Sequence, residues 1–375
     1  MNVLIKKFYH LVVRILSKMI TPQVIDKPHI VFMMTFPEDI KPIIKALNNS
    51  SYQKTVLTTP KQAPYLSELS DDVDVIEMTN RTLVKQIKAL KSAQMIIIDN
   101  YYLLLGGYNK TSNQHIVQTW HASGALKNFG LTDHQVDVSD KAMVQQYRKV
   151  YQATDFYLVG CEQMSQCFKQ SLGATEEQML YFGLPRINKY YTADRATVKA
   201  ELKDKYGITN KLVLYVPTYR EDKADNRAID KAYFEKCLPG YTLINKLHPS
   251  IEDSDIDDVS SIDTSTLMLM SDIIISDYSS LPIEASLLDI PTIFYVYDEG
   301  TYDQVRGLNQ FYKAIPDSYK VYTEEDLIMT IQEKEHLLSP LFKDWHKYNT
   351  DKSLHQLTEY IDKMQNEVYD NHTYM

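Results

Sequence analysis

The stretch Ser271-Asp-Ile-Ile-Ile-Ser-Asp-Tyr-Ser-Ser-Leu-Pro-Ile-Glu-Ala-Ser-Leu-Leu-Asp-Ile-Pro291 decides the fold class of this chain. Its apolar run Ile273–Ile275 predicts a strand buried on both faces, and Pro282 suits the first turn of a helix that begins beyond a polar turn. In a parallel sheet such a turn lies at the carboxyl end of the strand, where ligands bind. The N–H groups of the helix start and the hydroxyls of Ser279 and Ser280 predict an anion site there, with helix capping by serine as the alternative.

Short β-branched runs alternate with polar helical stretches on both sides of this unit, which is typical of parallel sheets with crossover helices. The predicted strands are His29–Met34, Thr55–Leu57, Val73–Ile76, Met95–Asp99, His115–Thr119, Asp155–Val159, Leu212–Val216, Tyr241–Asn245, Ile273–Ile275 and Thr292–Val296. A polar segment that ends near Gly207 separates the two groups of strands. We therefore predict two α/β domains, residues 21–200 and 201–345, which face each other across a cleft, and a C-terminal helix within residues 346–375.

The overall charge and the cysteines exclude several classes of protein. The chain of 375 residues carries 40 basic and 49 acidic side chains, for a net charge of −9. This balance disfavours nucleic acid as a partner, because a phosphate backbone requires a strongly basic face. The three cysteines form no Cys-x-x-Cys pair, so neither a disulfide framework nor a zinc cluster is expected, and a reducing cytoplasm fits best.

The first twenty residues differ from the rest of the chain because they contain four basic residues and no acidic one. Large apolar residues recur there with helical spacing, at Leu4, Phe8, Leu11, Ile15 and Met19. The segment has neither an unbroken apolar run long enough to span a bilayer nor a cleavage site after it, so we expect no transmembrane helix and no cleaved signal peptide. Residues 1–20 instead predict an amphipathic helix on an anionic membrane surface, and the alternative is a helix packed on its own domain.

The pair Trp120-His121 follows a predicted strand and is a candidate for catalysis. An imidazole with a near-neutral pKa can take a proton from a hydroxyl nucleophile, and Trp120 would supply a flat apolar wall. The small residues Ala122-Ser-Gly124 would let a ligand approach the backbone. A purely structural histidine is the alternative.

Two further strand ends carry cations. Lys246 and His248 lie two residues apart before a proline, so that His248 could donate to a phosphoryl oxygen while Lys246 offsets its charge. Thr218 and Arg220 offer a hydroxyl and a guanidinium, whose fork matches phosphate. The alternatives are a histidine that caps a sheet edge and a surface salt bridge.

Two acidic residues belong to the central turn. Glu284 lies one helical turn beyond Ser280 and could accept hydrogen bonds from two hydroxyls of a ribose or a glycerol, whereas Asp277 could orient a histidine or brace the turn. The sequence contains no metal-binding cluster, Walker loop, Gly-x-Gly-x-x-Gly turn or Gly-x-Ser-x-Gly elbow. Nucleotide hydrolysis, dinucleotide redox chemistry and triad hydrolysis are therefore disfavoured.

Five motifs resemble, in order and spacing, those of the CDP-glycerol glycerophosphotransferases of teichoic acid synthesis. The resemblance covers roughly residues 95–343. The motifs are Trp120-His121 with Lys127, Gly183-Leu-Pro-Arg186, Pro217-Thr-Tyr-Arg220, Lys246-Leu-His-Pro249 and Ser276-Asp-Tyr-Ser-Ser280 with Glu284.

The resemblance implies a GT-B architecture of two Rossmann-like domains, at the cytoplasmic membrane face of a Gram-positive bacterium. It implies transfer of glycerol phosphate from CDP-glycerol to a lipid-linked acceptor, with release of CMP. His121 would be the base, His248 would bind or protonate the departing phosphate, and Ser279 and Ser280 would hold the pyrophosphate. The resemblance assigns the other motif side chains to substrate binding: Trp120, Lys127, Arg186, Thr218, Arg220, Lys246, Asp277 and Glu284. No cofactor is firmly implied, and a Mg²⁺ ion on the substrate phosphates stays open.

One departure from the family pattern bears on the acceptor. Many polymerising members read Trp-His-Gly-Thr-Pro-Leu-Lys, whereas Trp120-His-Ala-Ser-Gly-Ala-Leu-Lys127 is one residue longer. Together with a length that leaves no room for a further membrane or polymer-binding domain, this resembles the priming enzymes. Their acceptor is ManNAc-GlcNAc-diphosphoundecaprenol, and other teichoic acid enzymes are potential partners. A transferase of later units, a GT-B glycosyltransferase that uses a sugar nucleotide and an inactive scaffold are the alternatives.

Overall fold

The computed structural model of the chain describes residues 3–22, 27–48, 51–69, 72–191, 194–218, 220, 227–247 and 262–373. Within these ranges the chain forms two parallel β-sheets with helices around them, so the predicted α/β class is confirmed. The strands are β1 (His29–Met34), β2 (Gln53–Thr58), β3 (Val73–Glu77), β4 (Met95–Ile98), β5 (His115–Gln118), β6 (Phe156–Leu158), β7 (Met179–Leu180), β8 (Lys211–Tyr215), β9 (Tyr241–Asn245), β10 (Ile273–Ser276), β11 (Thr292–Tyr295) and β12 (Lys320–Val321). The first sheet has the order β3-β2-β1-β4-β5-β6-β7 and the second β12-β11-β10-β8-β9.

Helices connect most of the successive strands and cover both sheets, as is usual for parallel pairing. They are α1 (Val3–Met19), α2 (Pro37–Ala46), α3 (Leu83–Ser92), α4 (Lys141–Tyr151), α5 (Glu162–Leu172), α6 (Arg195–Lys205), α7 (Lys231–Cys237), α8 (Thr264–Met270), α9 (Leu281–Leu287), α10 (Glu299–Val305), α11 (Gln310–Lys313), α12 (Glu324–Lys334) and α13 (Ser353–Thr373). No helix within these described ranges is both long and apolar enough to cross a membrane.

The unit β10–turn–α9 has the predicted form. Ile273, Ile274 and Ile275 are fully buried because β10 lies between β8 and β11, with helices on both faces of the sheet. Pro282 occupies the first turn of α9, where its missing N–H leaves no unpaired hydrogen bond. The other predicted strands are also present. Among the strands within the described ranges, β7 and β12 were not predicted, since two residues are too few to show a pattern.

The two halves of the chain are joined at one side by main-chain contacts. Asn128 donates its N–H to the carbonyl oxygen of Gly307 at 2.9 Å, and Asn309 donates its N–H to the carbonyl oxygen of Leu126 at 3.1 Å. Gly307 adopts a φ of +82°, and a Cβ there would lie 2.5 Å from the Asn128 amide. The left-handed backbone conformation at this position therefore favours glycine.

Helix α1 has two different faces. One face, with buried His10, Val13 and Ser17, packs on α3, on α4 and on the turn Leu103–Gly106, and the Ser17 hydroxyl accepts the N–H of Asn109 at 3.0 Å. The opposite face leaves large apolar side chains in solvent, with Phe8 68% and Met19 74% exposed. The predicted apolar stripe therefore points away from the domain, although the helix itself is docked on it.

Candidate active site

A cavity of about 960 Å³ lies between the carboxyl ends of the two sheets. The first half contributes Phe36, Asp39 and His121 to its walls, and the second half contributes the Ser279-Ser280 turn. Parallel sheets bring the ends of different strands together in this way, and this arrangement confirms the predicted cleft. The strand ends after β1, β5 and β10 each supply polar groups to it.

The imidazole of His121 is held in a defined orientation. Its Nδ1 lies 2.9 Å from the carbonyl oxygen of Asp99. A carbonyl oxygen can only accept, so Nδ1 carries the hydrogen and Nε2 keeps its lone pair. The ring packs on Phe36 and on Trp120, with a centroid separation of 4.3 Å in each case. His121 therefore has the tautomer that a general base requires, on the wall of the cavity.

The surroundings of His121 also lower its pKa and so keep the imidazole uncharged. Burial lowers its pKa to about 4, and the cations of Arg186 and Lys127 act in the same direction, although the Asp99 carbonyl opposes them. At neutral pH the imidazole is uncharged and can accept a proton.

For the Ser279-Ser280 turn, the sequence suggested two roles, anion binding and helix capping. The structure gives the two serines different positions for these roles. The Ser279 hydroxyl accepts the N–H of Leu281 at 3.2 Å and so caps the start of α9. Ser280 occupies the N-cap position but forms no side-chain cap hydrogen bond, and it lines the cavity. Of the two hydroxyls, that of Ser280 is the better placed to meet a ligand.

Behind this turn, Thr218, Arg220 and Asp277 form a buried cluster. Asp277 accepts the N–H of Thr218 at 2.9 Å and its hydroxyl at 2.7 Å. The Arg220 guanidinium lies 2.9 Å from Asp277 and 2.8 Å from Asp298, and it packs over the ring of Tyr302 at 4.7 Å. Burial alone would lower the pKa of Arg220, but the two carboxylates raise it. These residues brace the turn, and their contact with a substrate stays a prediction.

Glu284 ties three parts of the chain together. It accepts a hydrogen bond from the Tyr190 hydroxyl at 2.6 Å and one from the Ser123 hydroxyl at 3.3 Å, and it lies 3.4 Å from Arg186 Nε. Burial alone would raise its pKa, but Arg186 and Lys189 outweigh burial and lower it. Glu284 is therefore an ionised carboxylate on the wall of the cavity. Its predicted partners are hydroxyl groups of the substrate.

Sequence reasoning missed Asp39, which pairs with Arg186 across the same wall. Arg186 Nη1 lies 3.1 and 3.0 Å from the two Asp39 oxygens. Burial raises the pKa of Asp39 to about 7, and the Arg186 cation opposes that rise. The sequence did contain a signal for Asp39. Glu38 and Asp39 follow the carboxyl end of β1 in the first turn of α2, and other site residues also lie just beyond strand ends.

The remaining predicted cations are placed differently. Lys127 lies where the two halves join, opposite Leu308, and burial lowers its pKa although Asp277 opposes this. The Lys246 ammonium donates to the carbonyl oxygen of Ile262 at 2.8 Å. His248 lies outside the described residues. Among the residues that are described, no group of three or more His, Cys, Asp and Glu side chains could hold a metal ion.

Comparison with known proteins identifies the family of this chain. The family model of the CDP-glycerol:poly(glycerophosphate) glycerophosphotransferases matches residues 15–362. The chain belongs to this family. It is therefore a transferase of teichoic acid synthesis that uses CDP-glycerol, as its motifs predicted.

Two relatives are similar over nearly their whole length. The teichoic acid glycerol-phosphate primase of Bacillus subtilis (strain 168) is 32% identical over 354 residues, which cover 89% of this chain and 92% of that protein. A primase of Bacillus spizizenii is 29% identical over 379 residues, or 96% and 98% of the two chains.

Solved structures support the fold. The wall teichoic acid polymerase TagF has a TM-score of 0.73 at 20% identity and covers 96% of this chain and 93% of its own. The Staphylococcus aureus MnaA–UDP structure has a TM-score of 0.58 at 15% identity, over 90% and 97% of the two chains. The predicted GT-B-like architecture is confirmed.

Proposed function

We propose that this transferase performs the priming step of wall teichoic acid synthesis. It moves glycerol phosphate from CDP-glycerol to the ManNAc of lipid-linked ManNAc-GlcNAc-diphosphoundecaprenol and releases CMP. The observation that carries the chemistry is the His121 imidazole, fixed through Nδ1 to the Asp99 carbonyl at 2.9 Å in a cavity whose other wall holds Ser280. Near full-length similarity to two primases supports the priming role.

In the proposed reaction, Nε2 of His121 removes the proton from the acceptor hydroxyl. The acceptor oxygen then attacks the phosphorus that bears glycerol, and the bond from that phosphorus to the bridging oxygen breaks as CMP departs. Ser280 donates to the diphosphate, while Arg186 and Lys127 place positive charge near the imidazole. Phosphoryl transfer depends mainly on such positioning and charge stabilisation.

The negative charge of bound CDP-glycerol should also change the pKa of His121. Arg186 and Lys127 help to lower the pKa of His121 in the free protein. An anionic diphosphate that binds beside them offsets their charge, so we expect the pKa of His121 to rise in the complex. The base gains strength when the donor is bound.

This mechanism predicts two different acid limits for activity. For kcat/KM, which reports the free enzyme, we expect the acid limb near the pKa of about 4 that burial gives His121. For kcat, which reports the complex, the limb should lie at higher pH. Initial rates from about pH 3 to 8, which span both limbs, test this. A single limb near the ordinary histidine pKa of about 6.5 in both parameters contradicts it.

Loss of the fold must be separated from loss of the base in this experiment. The unfolded chain binds a proton at His121 near pH 6.5, whereas the folded chain binds it only near pH 4. The unfolded state therefore holds more protons between these values, and the contribution of His121 to stability is lost as the pH falls through this window. Thermal melts at each pH show where the protein remains folded.

A transfer assay tests the priming role. Labelled CDP-glycerol is incubated with a synthetic ManNAc-GlcNAc-diphospholipid, and the products are resolved by mass. One added glycerol phosphate per acceptor supports priming. A ladder of products, or activity only on an acceptor that is already primed, would assign the chain to the later steps instead, and a UDP-sugar donor serves as the negative control.

We also propose that the protein acts at the cytoplasmic face of the membrane, docked through α1. Support comes from the exposed apolar side chains on the face of α1 that points away from the domain, including Leu4 and Phe8. The exposed basic residues Lys7, Arg14 and Lys18 lie on the same helix. An interfacial helix of this kind buries its apolar face in the headgroup region and attracts anionic lipid.

Vesicle binding tests α1. The double variant Leu4→Ser, Phe8→Ser should reduce binding to vesicles that contain anionic lipid by about tenfold or more, because each exposed apolar side chain loses its burial. The matched control is Val138→Ser, Leu337→Ser, which changes two residues that are 65% and 66% exposed elsewhere. Equal binding by both double variants would contradict docking through α1.

A further inference from the structure

The buried residue Asp99, just beyond the carboxyl end of β4, holds the chain segment that follows β1. One carboxylate oxygen accepts the N–H of Thr35 at 2.7 Å and that of Phe36 at 2.6 Å. The other oxygen accepts the Tyr102 hydroxyl at 2.5 Å. Two successive backbone N–H groups that converge on one buried oxygen fix the direction in which the chain leaves β1.

This segment in turn supports His121. The ring of Phe36 stacks on the imidazole, with centroids 4.3 Å apart and an angle of 14° between the planes. The main-chain carbonyl of Asp99 accepts from His121 Nδ1 at 2.9 Å. One residue therefore sets both the hydrogen bond and one aromatic contact of the imidazole, through two different groups.

We infer that Asp99 is a positioning residue for the base of the transfer reaction. Its carboxylate fixes Thr35 and Phe36 so that the phenyl ring holds the imidazole plane, and its carbonyl fixes the tautomer. This inference rests on the proposed role of His121. A base that is misplaced by about 1 Å can lose on the order of 10²-fold in rate, so the support of the ring is a determinant of kcat.

The carboxylate acts through geometry rather than charge, and the matched variant Asp99→Asn tests this. The amide oxygen of asparagine can accept both N–H groups, and its NH₂ group can donate to the Tyr102 oxygen, whose hydroxyl then donates to Thr35 Oγ1, 2.9 Å away. Asp99→Ala leaves both N–H groups without this acceptor. We expect the alanine variant to lose about 10²-fold in kcat, and the asparagine variant to stay within about fivefold of the wild type.

Two readouts separate positioning from general destabilisation. The KM for CDP-glycerol should change less than about twofold in either variant, because Asp99 lies behind the base rather than on the donor side. In ¹⁵N-labelled free protein, the His121 ring signals should keep the Nδ1–H tautomer and the ring-current shifts from Phe36 in the asparagine variant. The alanine variant should lose those ring-current shifts.

Each outcome decides the inference. Wild-type kcat in Asp99→Ala, an equal loss in Asp99→Asn, or an unchanged His121 spectrum in a slow alanine variant would overturn it. If the alanine variant does not fold, Phe36→Leu removes the same ring from a position that is 37% exposed, and wild-type kcat there overturns the inference too. Absence of transfer by the wild type would instead defeat the proposed function, while the spectra of the free protein would still report on positioning.

Discussion

Replacing His121 by asparagine should lower kcat by about 10²–10⁴-fold, the usual contribution of a general base. The asparagine amide can still donate to the Asp99 carbonyl that now accepts from Nδ1 at 2.9 Å, so the wall of the cavity should keep its shape. What disappears is the Nε2 lone pair, the group that takes the acceptor proton. Binding of CDP-glycerol, measured by calorimetry, should therefore change less than about threefold.

The matched control for this experiment is His115→Asn. His115 begins β5, whereas His121 lies just beyond the end of the same strand, so the control makes the same chemical change at the opposite edge of the sheet. Its transfer rate should equal that of the wild type. A loss of donor binding in His121→Asn as large as the loss of rate would mean that His121 binds the donor, and the role of base would have to be given up.

The sequence predicted those parts of the site that a local pattern encodes. The Ile273–Ile275 run, the polar turn and Pro282 lie within a single β–turn–α unit, so burial of the strand and position of the turn follow from neighbouring residues alone. The position of His121 beyond β5 was predictable for the same reason. In each case the end of the apolar run indicates where the chain reaches the edge of the sheet.

The partners of the charged groups were not predictable in this way. Arg186 meets Asp39 across 147 residues, and Glu284 meets Tyr190 across 94. Whether a guanidinium faces a ligand or a carboxylate depends on which strand ends become neighbours, and that is set by sheet order rather than by local sequence. For α1, the apolar stripe was visible in the sequence, but packing of the opposite face on the domain was only the alternative prediction, because His10 and Ser17 on that face are polar.

Arg220→Ala should destabilise the protein strongly, although the sequence alone predicted mainly weaker donor binding. The guanidinium lies 2.9 Å from Asp277, which is fully buried, and 2.8 Å from Asp298. Removing one partner of a buried ion pair leaves an uncompensated charge and costs about 3–5 kcal/mol. Since 1 kcal/mol shifts the Tm of a domain of this size by about 2–4 °C, the thermal midpoint should fall by roughly 10 °C.

The comparison of three variants separates this bracing role from phosphate binding. Arg220→Lys keeps the charge but cannot form the paired contacts to Asp298 at 2.8 and 3.1 Å, so its Tm should lie between those of the alanine variant and the wild type. Arg148→Ala, on the exposed side of α4, is the control and should stay within about 0.5 kcal/mol of the wild type. A normal Tm in Arg220→Ala together with a raised KM for CDP-glycerol would mean that the guanidinium turns to the substrate. The bracing contacts would then describe only the state without ligand.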